Sequence, residues 1–148
     1  KSPDYTGTQR ALAGVPYNVS TASGNPLADD LGQMIVNTML FRNVPASQQK
    51  IPYSWSFDEF KQKILGKEKD SKVFYIKVNE WITDTYFRVG LRYDLKLTIF
   101  DGLANEVFNN QEKGSLTLDA NQPGKESLAA AISGILEKLF AGKGLAEK

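Results

Sequence analysis

The feature that most restricts this chain is an alternation that runs from Phe87 to Ile99. Every odd position is apolar (Phe87, Val89, Leu91, Tyr93, Leu95, Leu97, Ile99), while Arg88, Gly90, Arg92, Asp94, Lys96 and Thr98 lie between them. Successive side chains of a strand point to opposite faces, so the pattern demands a long β-strand with one dry and one wet face. The stretch before it, Val73 to Ile82, carries Phe74, Ile76, Val78 and Ile82 on even positions. A tight loop at Asp84-Thr85, or a longer one over Thr83–Tyr86, sets those even positions against the odd ones. Phe74 then faces Leu95, Ile76 faces Tyr93 and Val78 faces Leu91. A slip of one residue would expose the whole apolar set, so the pattern selects the pairing.

The same pairing predicts the contents of the wet face. Trp81 comes near Arg88, Tyr75 near Asp94, and Lys77 opposite Arg92, an unfavourable contact of like charges. Trp81, Tyr86, Arg88, Arg92 and Tyr75 together form the candidate binding surface. Asp101-Gly102 marks a turn into a third strand from about Glu106 to Asp119, with Leu97 facing Phe108, Val89 facing Leu116 and Phe87 facing Leu118. Its middle, residues 109–114, is polar on both faces, which reads as an edge or a bulge.

Three helices complete the pattern. In the first, Asn25 is the N-cap and Pro26 the opening residue. Leu27, Leu31, Met34, Ile35 and Met39 recur at helical spacing as far as about Phe41. The second is short: Ser56 and Glu59 make a capping box, Phe57, Phe60, Ile64 and Leu65 the apolar face, and Gly66 the stop. The third, 125–140, carries Leu128, Ile132, Ile135, Leu136, Leu139 and Phe140 on one stripe. Residues 1–25, broken by Pro3, Gly7, Gly14, Pro16 and Gly24, read as an extended irregular arm with one short strand near Val15–Val19. Residues 143–148 read as a frayed end. The expected fold is a single α+β domain: a two-layer sandwich of a three-stranded antiparallel meander against two long helices and one short one.

Composition limits the chemistry. The chain has no histidine and no cysteine, so Ser-His-Asp and Cys-His sites, thiol chemistry, disulfides and the usual zinc sites are all excluded. No phosphate-cradling glycine loop and no calcium loop of EF-hand type occurs, and no cofactor is indicated. With 18 Lys+Arg against 17 Asp+Glu, no field of one sign is available to attract nucleic acid. No run approaches the ~20 apolar residues of a membrane-spanning helix. What remains is carboxylate chemistry at Glu80, Asp84, Asp94 and Asp101. In the pairing above Asp84 and Asp101 cap opposite ends of the central strand, roughly 50 Å apart at ~3.3 Å per residue, so they read as turn residues rather than a catalytic pair.

The arm Ser2-Pro-Asp-Tyr-Thr-Gly-Thr8 is followed by Pro26-Leu-Ala-Asp-Asp-Leu31, which opens an amphipathic helix. With the Lys72–Ile82 strand, the Arg92-Tyr-Asp-Leu-Lys-Leu97 strand and the helix 125–140, this order resembles the YajG-like bacterial envelope lipoproteins and related uncharacterised families. The chain departs from them in a long Gln48–Trp55 insertion. The resemblance implies a periplasm-facing domain tethered to the outer membrane by an N-terminal lipid carried upstream of Lys1, with no catalytic residues to transfer. The expectation is therefore a non-catalytic module that contacts an envelope protein partner or a second copy of itself. The alternatives are a transport accessory holding a small apolar ligand between helices and sheet, and a carboxylate-dependent glycan-active enzyme.

Overall fold

A computed structural model describes residues 5–10, 16–21, 23–52, 54–85, 89–118 and 124–141. The order is β1 (Tyr5–Arg10), β2 (Pro16–Ser20), α1 (Leu27–Phe41), α2 (Phe57–Ile64), β3 (Val73–Thr85), β4 (Val89–Phe100), β5 (Glu106–Leu118) and α3 (Gly124–Phe140). The fold is α+β, as the sequence patterns require, with the β3-β4-β5 meander at its centre. The N-terminal arm carries the strand expected near Val15–Val19, as β2, and differs from expectation in supplying a second, β1. The sheet has five, in the order β2-β1-β3-β4-β5. β1 lies parallel to β3 over Gly7–Gln9, and every other pairing is antiparallel. The arm conceals its strands because Tyr5, Thr6, Gly7, Thr8 and Gln9 show no apolar alternation. At Gly7, whose φ is 152°, an added Cβ would strike Thr83, so glycine is required for β1 to lie against β3.

The strand register also differs from the expected one, in a way that changes the faces. Phe74 pairs with Ile99, Ile76 with Leu97 and Val78 with Leu95; beyond a bulge at Asn79, Glu80 pairs with Asp94 and Trp81 with Tyr93. The first half keeps the predicted faces, because a shift of four residues preserves parity. One extra residue at Asn79 then reverses parity, turning Trp81 inward and Ile82 outward. Trp81 is thus a core residue, 7% exposed, and not part of a wet surface. The β4–β5 register is shifted by two from expectation, with Val89 opposite Leu118 and Ile99 opposite Phe108, and the faces are unchanged.

The inner face of the sheet packs on α1 and α3. Leu31, Leu91, Leu95, Leu97, Ile99 and Leu139 are fully buried there, with Trp81, Tyr93, Phe108 and Ile135 around them. Each such side chain contributes about 1.5–3 kcal/mol relative to exposure. The polar middle of β5 has a structural reason: Asn110 points inward and donates to the carbonyls of Lys138 (3.1 Å) and Leu139 (2.9 Å) at the end of α3.

The short helix α2 covers the other side of the sheet. The ring of Phe74 lies 6.1 Å from Phe140 of α3, while its neighbour Tyr75 lies 4.4 Å from Phe60 of α2. Adjacent strand residues point to opposite faces, so α2 adds a partial third layer. Its cluster is Phe60, Leu65 and Phe100 with Ile51, Ile64, Val73 and Tyr75. The capping box is present, Ser56 N donating to Glu59 (2.8 Å) and Glu59 N to Ser56 Oγ (3.2 Å). α1 begins one residue later than predicted, with Pro26 at the N-cap. It ends with Asn43 at φ 59°, Asn43 N donating to Leu40 O (3.0 Å) and Val44 N to Met39 O (2.9 Å). This is a left-handed C-terminal cap.

The inward position of Trp81 gives a direct test. Trp81→Ala should lower unfolding free energy in urea by about 3–5 kcal/mol, the cost of emptying a core aromatic site. A loss under about 0.5 kcal/mol, ordinary for a surface position, would return Trp81 to the wet face.

Candidate functional site

Among the described residues α2 covers one end of the outer face, and none lies over the other end. The register lays its side chains out as a grid. In one row Thr8 neighbours Asp84, Asp84 neighbours Gly90, and Gly90 neighbours Thr117. In the next, Ile82 neighbours Arg92, which neighbours Ser115. With Tyr5 these residues border an open groove of about 510 Å³. Tyr5 and Thr8 hydrogen-bond through their hydroxyls at 3.1 Å. Gly90 leaves the floor of the groove as bare backbone.

Below the groove runs a band of charge. Arg92 lies 3.4 Å from Glu80 in an ion pair, with the Arg92 side chain 64% exposed. Exposed pairs of this kind contribute little stability. Asp94 accepts from Gln111 of β5 (2.7 Å) and from Asn79 of the bulge (3.2 Å), so one carboxylate ties three strands together. The hydrogen bond from Gln111, then that from Asn79, holds its pKa below the ordinary value of 3.8. Lys77 faces Lys96 rather than Arg92.

The predicted surface is only partly assembled. Arg92 is on the outer face as expected. Trp81 is in the core, and Tyr75 lies beneath Phe57 and Phe60 of α2, where burial raises its phenol pKa. Tyr86 and Arg88 lie outside the described residues. Tyr5, Thr8, Ile82, Ser115 and Thr117 are additions. The outward parity of Ser115 and Thr117 was readable from β5. Ile82 was hidden by the bulge, and Tyr5 and Thr8 by the patternless arm.

Asp84 and Asp101 do not come together. Asp101 is a turn residue as expected, accepting from Leu103 N and Asn105 N, both at 2.9 Å. Asp84, however, is within β3 rather than in a turn. Some 11 residues of β4 separate the two, about 36 Å at 3.3 Å per residue. Glu80 and Asp94 are cross-strand neighbours, which the unbulged register concealed. Asp94 is nevertheless held in the ionised form, opposite to what a general acid needs. Among the described residues no group of three potential ligands could hold a metal, and no helix is long and apolar enough to cross a membrane.

A second exposed surface lies at the end of α1, where Leu40, Phe41 and Val44 are 51%, 86% and 48% exposed. The left-handed cap at Asn43 brings Val44 back beside Met39.

No family model matches the chain, and no curated protein matches it. Among solved structures, it is similar to protein XCC0632 from Xanthomonas campestris, of family DUF330, with a TM-score of 0.52 and 13% identity. The match covers 93% of this chain and 71% of that one, and it shows a shared fold.

The Asp94 tie makes a pH-dependent prediction. Its folded pKa is depressed, so its stabilisation is present above the unfolded value of 3.8 and is lost as pH falls through the folded value. Asp94→Asn should therefore melt below the parent at neutral pH, and the gap should close as pH drops below about 4. A gap of constant size from neutral to acid pH would show that the charge on Asp94 has no part in holding the strands.

Proposed function

We propose that this chain is a non-catalytic binding module of the bacterial envelope, of the YajG-like lipoprotein kind. It faces the periplasm from an outer-membrane tether and contacts an envelope component through the uncovered half of its outer sheet face. The observation that carries the reading is that half-face: a five-stranded sheet closed by α1 and α3 on one side and left open beyond α2 on the other, with a groove of about 510 Å³ in the open part. Pockets that bind are concave and combine apolar surface with a few placed polar groups, as Ile82, Tyr5, Asp84 and Arg92 do here. The exposed Leu40, Phe41 and Val44 add a hydrophobic contact surface of the sort that marks interaction sites.

Three features favour binding over turnover. The groove is open rather than closed to water, which weakens any electrostatic assistance to a reaction. Of the four carboxylates that sequence made catalytic candidates, Asp101 is a turn former, Asp94 a strand tie and Glu80 an ion-pair partner, while Asp84 borders the groove. Leu31, Leu91, Leu95, Leu97, Ile99 and Leu139 of the helix–sheet core are fully buried, which favours a packed interface there over a ligand site among the described residues.

Photocrosslinking in bacterial cells tests the reading. A benzophenone residue at Ser115 should capture an envelope component, whereas one at Lys61, on the exposed side of α2, should not. Equal labelling from both positions, or none from Ser115, would contradict it.

A further inference from the structure

α1 carries more apolar surface than the core covers. Leu27 and Leu31 in its first turns pack against the sheet, but Met34, Leu40, Phe41 and Val44 at its far end are exposed. A helix apolar round most of its circumference is ordinarily buried on all sides. Met34, Thr38 and Phe41 fall at i, i+4 and i+7, so they share one face. The left-handed cap then folds Val44 back, which gathers the apolar side chains at the helix end. Phe41, 86% exposed, projects furthest from the body of the protein.

Three properties of this end select what covers it. Its polar groups are paired among themselves. The carbonyls of Thr38, Met39 and Leu40 accept from the backbone N–H groups of Arg42, Asn43 and Val44, at 2.9–3.2 Å. The Thr38 hydroxyl donates to Met34 O (2.9 Å), and the Gln33 amide to Asn37 Oδ1 (2.9 Å). Helix ends usually leave carbonyls for water, and groups already paired lose little in a medium that cannot hydrogen-bond. The second property is charge. From Leu31 to Gln49, Arg42 is the only charged residue. It is exposed, and no described carboxylate forms an ion pair with it. A single guanidinium beside an apolar tip complements a layer of phosphates above hydrocarbon. The third is shape. A side chain as exposed as Phe41 is covered only by something that closes round it from several sides. Fluid acyl chains do so, whereas a protein partner must bring a preformed pocket and, along its rim, hydrogen-bonding groups that this end does not answer.

We infer that the C-terminal end of α1 is a contact for a membrane surface. Leu40, Phe41 and Val44 enter the boundary between headgroups and acyl chains, and Arg42 meets a lipid phosphate. Such a contact lies on a bilayer and does not cross it, and one apolar tip binds weakly and reversibly, so it orients the domain without anchoring it. None of these residues borders the groove, so the inference goes beyond the reading of the open sheet face.

The test is flotation of the chain with vesicles of phosphatidylethanolamine and phosphatidylglycerol in equal parts. The parent should float with them at millimolar lipid. Phe41→Ser should lower the partition coefficient by about tenfold or more. Arg42→Ala should lower it roughly fivefold on these vesicles and by less on phosphatidylcholine. Leu103→Ser, which removes an apolar side chain 69% exposed in the turn between β4 and β5, should leave it unchanged. All three positions are exposed, so the variants should keep the parent melting temperature. No flotation of the parent, an unchanged partition in Phe41→Ser, or an equal loss in Leu103→Ser would overturn the inference. So would a parent dimer that Phe41→Ser turns into a monomer with no vesicle binding by either, because the tip would then be an interface between copies. Crosslinking from Ser115 is read separately, so the sheet face and the α1 tip stand or fall independently.

Discussion

One extra residue, Asn79, decides what this protein shows to its surroundings. Strand side chains alternate with a period of two, so an insertion of one residue exchanges the faces of everything that follows it. Before the bulge, β3 sends Phe74, Ile76 and Val78 to the core; after it, Trp81 goes in while Glu80, Ile82 and Asp84 come out. The exchange fills the core with a large aromatic and gives the open face its carboxylates. Asn79 is also held in place, since its amide donates to Asp94, which Gln111 approaches from β5.

The rest of the open face depends on that exchange. Asp84 can border the groove only because it follows the bulge, and Arg92 finds Glu80 for the same reason. At the other end of the same face, Tyr75 and Phe100 are covered by Phe57 and Phe60 of α2. The outer surface is thus divided along the strands into a covered apolar end and an open polar end, with the charged band of Glu80, Arg92 and Asp94 between them. A sheet divided in this way carries its recess in the open polar part, bordered by residues of β1, β3, β4 and β5.

Much of this was legible in the sequence, and the illegible parts share a cause. The alternation on β4 fixed the inner face from Leu91 to Ile99, and the helical stripes fixed α1 and α3. Ser56 and Glu59 announced α2 correctly. What periodicity could not supply was any position where the period itself breaks. The bulge at Asn79 leaves no composition signal, so Trp81 was read as exposed and Ile82 as buried. β1 has no apolar alternation because it carries Thr6, Gly7, Thr8 and Gln9, so it was read as part of an irregular arm, whereas β2 lies where the one short strand was expected. Tyr75 follows the rule for a wet face, and only the tertiary placement of α2 covers it.

The most direct test of this account is the register across Asn79 by NOE spectroscopy on the labelled chain. The account predicts cross-strand contacts joining Val78 to Leu95 on one side of Asn79 and Trp81 to Tyr93 on the other, a step of one residue between them. An unbroken ladder, with Trp81 facing Arg92, would contradict it: Trp81 would lie outside, and the groove would lose Asp84 and Ile82 to the other face.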